Sequence, residues 1–190
     1  MTGKILRDRD KAERRGDLGL TRRNLMIGGL GLGIAAAGSL IIPDAIILAR
    51  ADHATHKSEI RRVGLPDGSF ATLGPDSAIA LAYEPNGRRI ELLKGMGYFE
   101  VEQDARRPFT VLAGEIAAAA PGTAFDISRD AGVLMVSVER GLVETRASGS
   151  PLALGKRLRA GDWMTFDQSS QSIELGKREV SQIAAWRDKL

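Results

Sequence analysis

His53 and His56 are the only histidines in the sequence, and they stand three residues apart. On a helix that spacing would place both imidazoles on one face, an arrangement that can hold a metal ion. Only Asp52 and Glu59 lie near enough in sequence to add a ligand, and the stretch reads as solvated linker, so no metal site is expected. With no histidine elsewhere, no serine has a base, and a Ser-His-Asp triad cannot be assembled. Glu100 and Glu102 are two apart. On a strand this puts both carboxylates on one wet face, not on opposite walls of a cleft as glycoside hydrolysis requires. The sequence has no cysteine, which removes disulfides, thiolate metal sites, iron–sulfur clusters and cysteine nucleophiles. No GxxxxGK[ST] phosphate loop occurs, and the glycines at 28, 29, 31 and 33 sit inside an apolar run. The inventory points to a binding protein, with neither an enzyme activity nor a cofactor expected.

Arg88-Arg89 and Arg106-Arg107 are basic doublets that could meet phosphates. The 190 residues carry 27 Lys+Arg against 24 Asp+Glu, a net charge of +3, and the pI is near 9.4. Those values invite a nucleic-acid reading. The charge is local, however. Residues 1–23 hold eight basic side chains (Lys4, Arg7, Arg9, Lys11, Arg14, Arg15, Arg22, Arg23) and four acids. From Arg50 onward there are 19 basic and 19 acidic residues. Aromatic residues make up only 5% of the chain, too few for base-stacking platforms. No nucleic-acid partner is expected.

The basic head, residues 1–23, precedes the most apolar stretch of the chain. Leu25–Ile42 is 18 residues without a charge, roughly 27 Å as a helix, close to the hydrocarbon thickness of a bilayer. Pro43 and Asp44 interrupt the run before it resumes to Ala49. Residues 25–49 therefore read as a transmembrane segment or an export signal. The positive flank predicts a cytoplasmic N-terminus with the bulk of the chain outside. Thr21-Arg22-Arg23-Asn24-Leu25-Met26 resembles a twin-arginine signal, and Ala49-Arg50-Ala51 has small residues at cleavage-like spacing. The anchor is the preferred reading, because the segment is long for a signal core.

After a polar linker at 50–62 the pattern becomes short apolar runs separated by turn residues. Candidate strands fall near 59–65, 69–73, 78–83, 88–94, 97–103, 109–113, 115–120, 124–129, 133–139, 142–147, 156–159, 162–167 and 172–175. Pro66-Asp67-Gly68, Pro85-Asn86-Gly87 and Pro121-Gly122 mark turns between them. In Tyr98-Phe99-Glu100-Val101-Glu102, Phe99 and Val101 face inward and the glutamates outward. A motif of strand, polar step, glycine and strand recurs at Gly95, Gly141 and Gly161, and reads as hairpins with a left-handed glycine. Residues 178–190 have helical spacing and predict a short amphipathic helix. The expected fold over 63–176 is all-β, a jelly-roll-like sandwich or a β-solenoid-like domain.

Residues 60–175 resemble the FecR domain, the extracytoplasmic part of sigma-factor regulators in iron transport. Leu65-Pro66-Asp67-Gly68-Ser69 is similar to its opening motif. Arg89-Ile90-Glu91-Leu92 to Gly95, then Tyr98-Phe99-Glu100-Val101, Asp104 and Arg107-Pro108-Phe109, resemble its most characteristic block. Gly122-Thr123-Ala124-Phe125-Asp126-Ile127, Val136-Ser137-Val138-Glu139-Arg140-Gly141 and Leu158-Arg159-Ala160-Gly161 follow in the family's order. Ala185-Trp186-Arg187-Asp188 is similar to the linker into a second subdomain in many relatives. The resemblance implies a single-pass inner-membrane protein with a periplasmic FecR domain. It implies regulation of an extracytoplasmic-function sigma factor in an iron or siderophore response, by contact with the sigma factor or a receptor signalling domain. It also implies departures at both ends. The head is too short to fold into a sigma-binding domain, and the chain reaches Leu190 where the C-terminal subdomain would begin. Two alternatives stay open: a secreted envelope- or carbohydrate-binding β module, and a truncated regulator without signalling output.

Overall fold

The computed structural model describes residues 44–147 and 154–188 of the chain. The basic head and most of the apolar segment, with Arg22, Arg23, Leu25 and Ile42, lie outside the described residues. Residues 44–50 are helical. Among the described residues no helix is long and apolar enough to cross a membrane.

The described chain is mostly β. Its strands are β1 (His53–Ala54), β2 (Arg61–Gly64), β3 (Phe70–Leu73), β4 (Ala78–Glu84), β5 (Gly87–Glu100), β6 (Phe109–Ala113) and β7 (Ile116–Ala120). They continue with β8 (Ala124–Asp130), β9 (Val133–Arg140), β10 (Leu142–Ala147), β11 (Lys156–Arg159), β12 (Asp162–Asp167) and β13 (Ser172–Lys177). The alternating sequences put these strands close to where they were expected. Two differences stand out. The runs at 88–94 and 97–103 are one 14-residue strand, β5. Residues 52–55, read as linker, are docked: β1 pairs with β4, and the buried Thr55 hydroxyl donates to Gly74 O (2.6 Å) and accepts from Ser77 N (3.0 Å).

All the strands join one continuous sheet that divides into two halves sharing β5. Residues 87–94 of β5 pair with β4, and residues 88–92 run parallel to β6. The first half continues through β7, β10 and β11. Residues 95–100 of β5 pair with β8, and residues 97–100 with β3. The second half extends through β2 on one side and β9, β12 and β13 on the other. The halves face each other across one apolar core that includes Ile90, Leu92, Phe109, Val111 and Ile116 from the first and Phe99, Phe125, Val136 and Phe166 from the second. Phe99 stacks on its ladder partner Phe125 at 5.5 Å and meets Phe109 of the opposite half at 6.1 Å. Each such fully buried side chain contributes about 1.5–3 kcal/mol relative to exposure.

The recurring glycines are corners and not hairpin turns. β9 and β10, on either side of Gly141, do not pair with each other, and neither do β11 and β12 around Gly161. At each glycine the chain passes from one half to the other, as strands do when they turn between packed sheets. All three have positive φ, from +80° to +87°. Gly95 is the most constrained. A Cβ there would lie 2.3 Å from Ser77 Oγ, 2.7 Å from Ser77 Cα and 2.8 Å from Asp76 O. The adjacent register shift leaves Leu93 unopposed in the β4 ladder, so the bulge and the glycine together turn β5 from one half into the other.

The amphipathic helix expected at 178–190 is replaced by two 3₁₀ turns, Val180–Gln182 and Ala185–Asp188. Between them Ile183 is extended and Ala184 has φ +51°. Both residues are buried against the outer face of the second half. So short a segment has little helical stability of its own, and contact with the flat sheet decides its backbone.

Gly95→Ala is expected to lower stability by about 2 kcal/mol or more. The positive φ alone costs an L-residue roughly 1–2 kcal/mol, and the clash with backbone atoms of Asp76 and Ser77 adds to it. Urea unfolding followed by tryptophan fluorescence measures the loss. An unchanged midpoint would show that β5 can turn without this glycine.

Candidate functional site

Two polar assemblies stand out from the apolar framework. The first joins the β2–β3 turn to the start of β5. Arg88 lies on the same face of β5 as Ile90 and Leu92, and its side chain is fully buried. Its guanidinium donates to Asp67 Oδ2 (2.6 Å), Arg107 O (2.8 Å), Glu102 O (2.9 Å) and Asp104 O (3.4 Å). Asp67 also accepts from the Tyr83 hydroxyl (2.9 Å) and from the Ser69 hydroxyl (2.7 Å) and amide (3.3 Å). Burial alone would raise the Asp67 pKa, but the hydrogen bonds from Ser69, Arg88 and Tyr83 outweigh it and hold the carboxyl below its usual range. The Arg88 and Asp67 side chains are 0% and 1% exposed, so the assembly positions structure.

The second assembly lies on the outer face of the second half, beneath residues 180–188. Tyr98 of β5, Asp126 of β8 and Glu139 of β9 point outward from the sheet toward this C-terminal strap. The Trp186 indole donates to Asp126 Oδ1 (3.2 Å). Arg187 donates to Glu139 Oε1 (3.1 Å) and lies over the Tyr98 ring, 3.6 Å from its centroid. The Tyr98 hydroxyl donates to the other oxygen of Glu139. Ile183, Ala184, Tyr98 and Ala124 form a small apolar cluster around these contacts, separate from the main core. Burial pushes the Asp126 carboxyl up to about 6, against the lowering effects of the Trp186 hydrogen bond and the charges of Arg187 and Arg178. Beside Asp126 in the ladder stands Ser137, whose buried hydroxyl has no hydrogen-bond partner among the described residues. The arrangement presents two acids and an aromatic ring to an indole and a guanidinium. It can recognise a peptide, and nothing in it activates a nucleophile.

A third set of contacts holds the 44–50 helix against the outer side of β5. Arg50 pairs with Glu91 (2.8 Å), and Lys94 lies between Asp44 (3.3 Å) and Asp76 (3.0 Å).

Residues 51–144 match the family model described as FecR protein. This part of the chain is a FecR domain. No curated protein matches the chain. Two crystal structures, each described as a "putative anti-sigma factor" from Parabacteroides distasonis, share the fold, with TM-scores of 0.65 and 0.64 at 22% identity over 70% of this chain. The chain spans 63% and 62% of the length of those structures.

The residues on which the sequence resemblance rests sort into core, corners and strap, with Gly161 and Trp186 lying beyond the matched residues 51–144. Leu65, Phe99, Val101, Phe109 and Phe125 are buried in the main core. Asp67 and Gly68 build the turn that receives Arg88, and Pro108 O accepts from the Arg88 amide (3.0 Å). Gly95, Gly141 and Gly161 are the corners. Gly122 and Thr123 lead into β8, where Thr123 O accepts from the Val101 amide (2.8 Å). Tyr98 and Trp186, 88 positions apart in the chain, meet at the strap. The sequence reading missed Arg88, Asp126, Glu139 and Arg187 as interacting groups. From sequence Arg88 reads as half of a basic doublet, although its spacing from Ile90 and Leu92 marks it as inward. His53 lies in β1, and among the described residues no group of three or more His, Cys, Asp or Glu is placed to hold a metal.

Two consequences are testable. Arg88→Met leaves the Asp67 carboxylate buried without its counter-ion, a change that costs about 3–5 kcal/mol. Arg89→Met, on the exposed face of the same strand, should stay within about 0.5 kcal/mol. Thermal denaturation of the pair checks the contrast, and equal losses would sink the assignment of Arg88 as the buried partner. For Asp126 the folded pKa lies above the unfolded one, so the folded state binds its proton more tightly. Its contribution is fully present below about pH 4 and is lost as pH rises to about 6. Asp126→Asn should remove that decline and raise the melting temperature at pH 7. A pH series of melting curves decides, and parallel curves for the two proteins would refute it.

Proposed function

We propose that this chain is a single-pass regulator of the inner membrane. Its N-terminus is cytoplasmic, its FecR domain is periplasmic, and it controls an extracytoplasmic-function sigma factor through protein–protein contact. The observation that carries the reading is the order of parts. A basic head and a charge-free run of 18 residues stand directly before the FecR match at 51–144. The basic flank favours retention on the cytoplasmic side. The fold shared with structures described as anti-sigma factors supports the regulatory role. The groups gathered under the strap are suited to recognising a peptide, which favours signalling by contact. An iron- or siderophore-linked stimulus is the class of response that the FecR family suggests.

Topology is tested by fusing alkaline phosphatase or a green fluorescent protein after Leu190. The phosphatase fusion should be active and the fluorescent fusion dark. The reverse pattern would place the domain in the cytoplasm and end the proposal. Deleting the gene should alter transcription from promoters of a single alternative sigma factor, and an unchanged transcriptome under iron limitation would remove the regulatory half of the reading.

A further inference from the structure

The strap, like the 44–50 helix, lies outside the ladder and is fastened to it by side chains. Its own backbone hydrogen bonds are local: Gln182 to Glu179, Ile183 to Val180 and Arg187 to Ala184. It adds no strand to the sheet, and the last ladder residue before it is Lys177. Lifting it therefore breaks side-chain contacts and no ladder. The strap also holds Ala184 at φ +51°, a conformation that L-residues with a Cβ rarely adopt.

The surface beneath is more specific than a flat sheet face. Tyr98 and Asp126 are 2% and 5% exposed under the strap. Glu139 holds a guanidinium and a phenol at once. Among the described residues Asp126 accepts only the Trp186 indole, and the adjacent Ser137 hydroxyl, 1% exposed, has no partner. Buried polar groups normally fill their hydrogen-bonding capacity. This seat accepts an aromatic N–H and an arginine, and it retains capacity that the chain's own strap does not use.

We propose that Tyr98, Asp126, Ser137 and Glu139 form a peptide-binding seat for a protein partner that presents an aromatic side chain followed by arginine, and that Val180–Asp188 occupies this seat in cis until the partner displaces it. Charge complementarity commits the occupant: two carboxylates and an aromatic face select a cation beside a ring, through the same cation–π and charge-assisted bonds that hold Trp186 and Arg187. An acidic peptide would be repelled. The tethered strap competes at an effective concentration on the order of millimolar, so a partner binds weakly until the strap is loosened. The inference names the surface through which the proposed signalling would act, and in that sense rests on that reading. Its test reads binding alone, so either can fail without the other.

The probe is a fluorescently labelled synthetic peptide with the sequence of residues 178–190, and the protein is the full chain in detergent micelles. Fluorescence anisotropy should show weak binding to the unaltered chain and at least tenfold tighter binding to the Trp186→Ala/Arg187→Ala variant, whose seat is vacated. Adding Glu139→Gln to that variant should reduce the affinity at least tenfold, and a probe with the tryptophan and arginine replaced by alanine should not bind. The double variant should still melt cooperatively. A double variant that melts cooperatively but fails to bind the probe overturns the proposal. So does binding indifferent to Glu139→Gln. Loss of cooperative melting in the double variant would make the strap part of the fold and overturn it as well. A dimer of the unaltered chain that the probe dissociates would place a second copy's strap in the seat, and that too would overturn the reading of a separate partner.

Discussion

The bond between Arg88 and Asp67 sets what the rest of the domain can be. A guanidinium enters the apolar interior only if its donors are met, and here the turn carboxylate and three backbone carbonyls meet them. To supply those carbonyls, the segment from Glu102 to Arg107 must curl over the end of the core. To supply the carboxylate, the β2–β3 turn must lie beside the first residues of β5. One side chain therefore fixes the entry of the chain into both halves. An apolar residue of similar size could fill the volume and would not dictate where the two loops sit.

The ties at the two ends of β5 are of a different kind. Arg50–Glu91 and Lys94–Asp44 are solvent-exposed pairs, and such pairs contribute little to stability. They orient the 44–50 helix against the strand without locking it. The strap at the other end mixes apolar burial with half-shielded charge. β5 thus carries a loosely held element on its outer side in one half and a tighter one in the other, with the rigid core behind both.

Most strands were legible because alternation survives in stretches such as Tyr98–Glu102, because runs such as Val133–Val138 are apolar on both faces, and because Pro-Asp-Gly and Pro-Asn-Gly end them where φ must change sign or be preset. What was not legible is which strand pairs with which. Gly141 looks the same locally whether the next strand folds back beside β9 or crosses to β7, and only the completed ladder distinguishes them. Residues 52–55 looked like linker because their polarity conceals a single buried threonine hydroxyl. The strap seat was hidden for a similar reason. Asp126 and Trp186 are 60 residues apart, and Glu139 and Arg187 are 48 apart. Each alone is an ordinary charged or aromatic residue. The helical spacing at 178–190 was real, but the pattern of apolar residues serves a flat face as well as a helical one.

The sharing of β5 has a consequence for how the domain responds as a whole. A strand that belongs to both halves, with corners at Gly141 and Gly161 passing between them, leaves no seam along which one half could open while the other stays closed. Such a body unfolds as one cooperative unit. Free energy added or removed within the ladder then shifts the unfolding of both halves together, including the turn that holds Arg88 on the far side of the core, whereas an element outside the ladder, such as the strap, can open by itself.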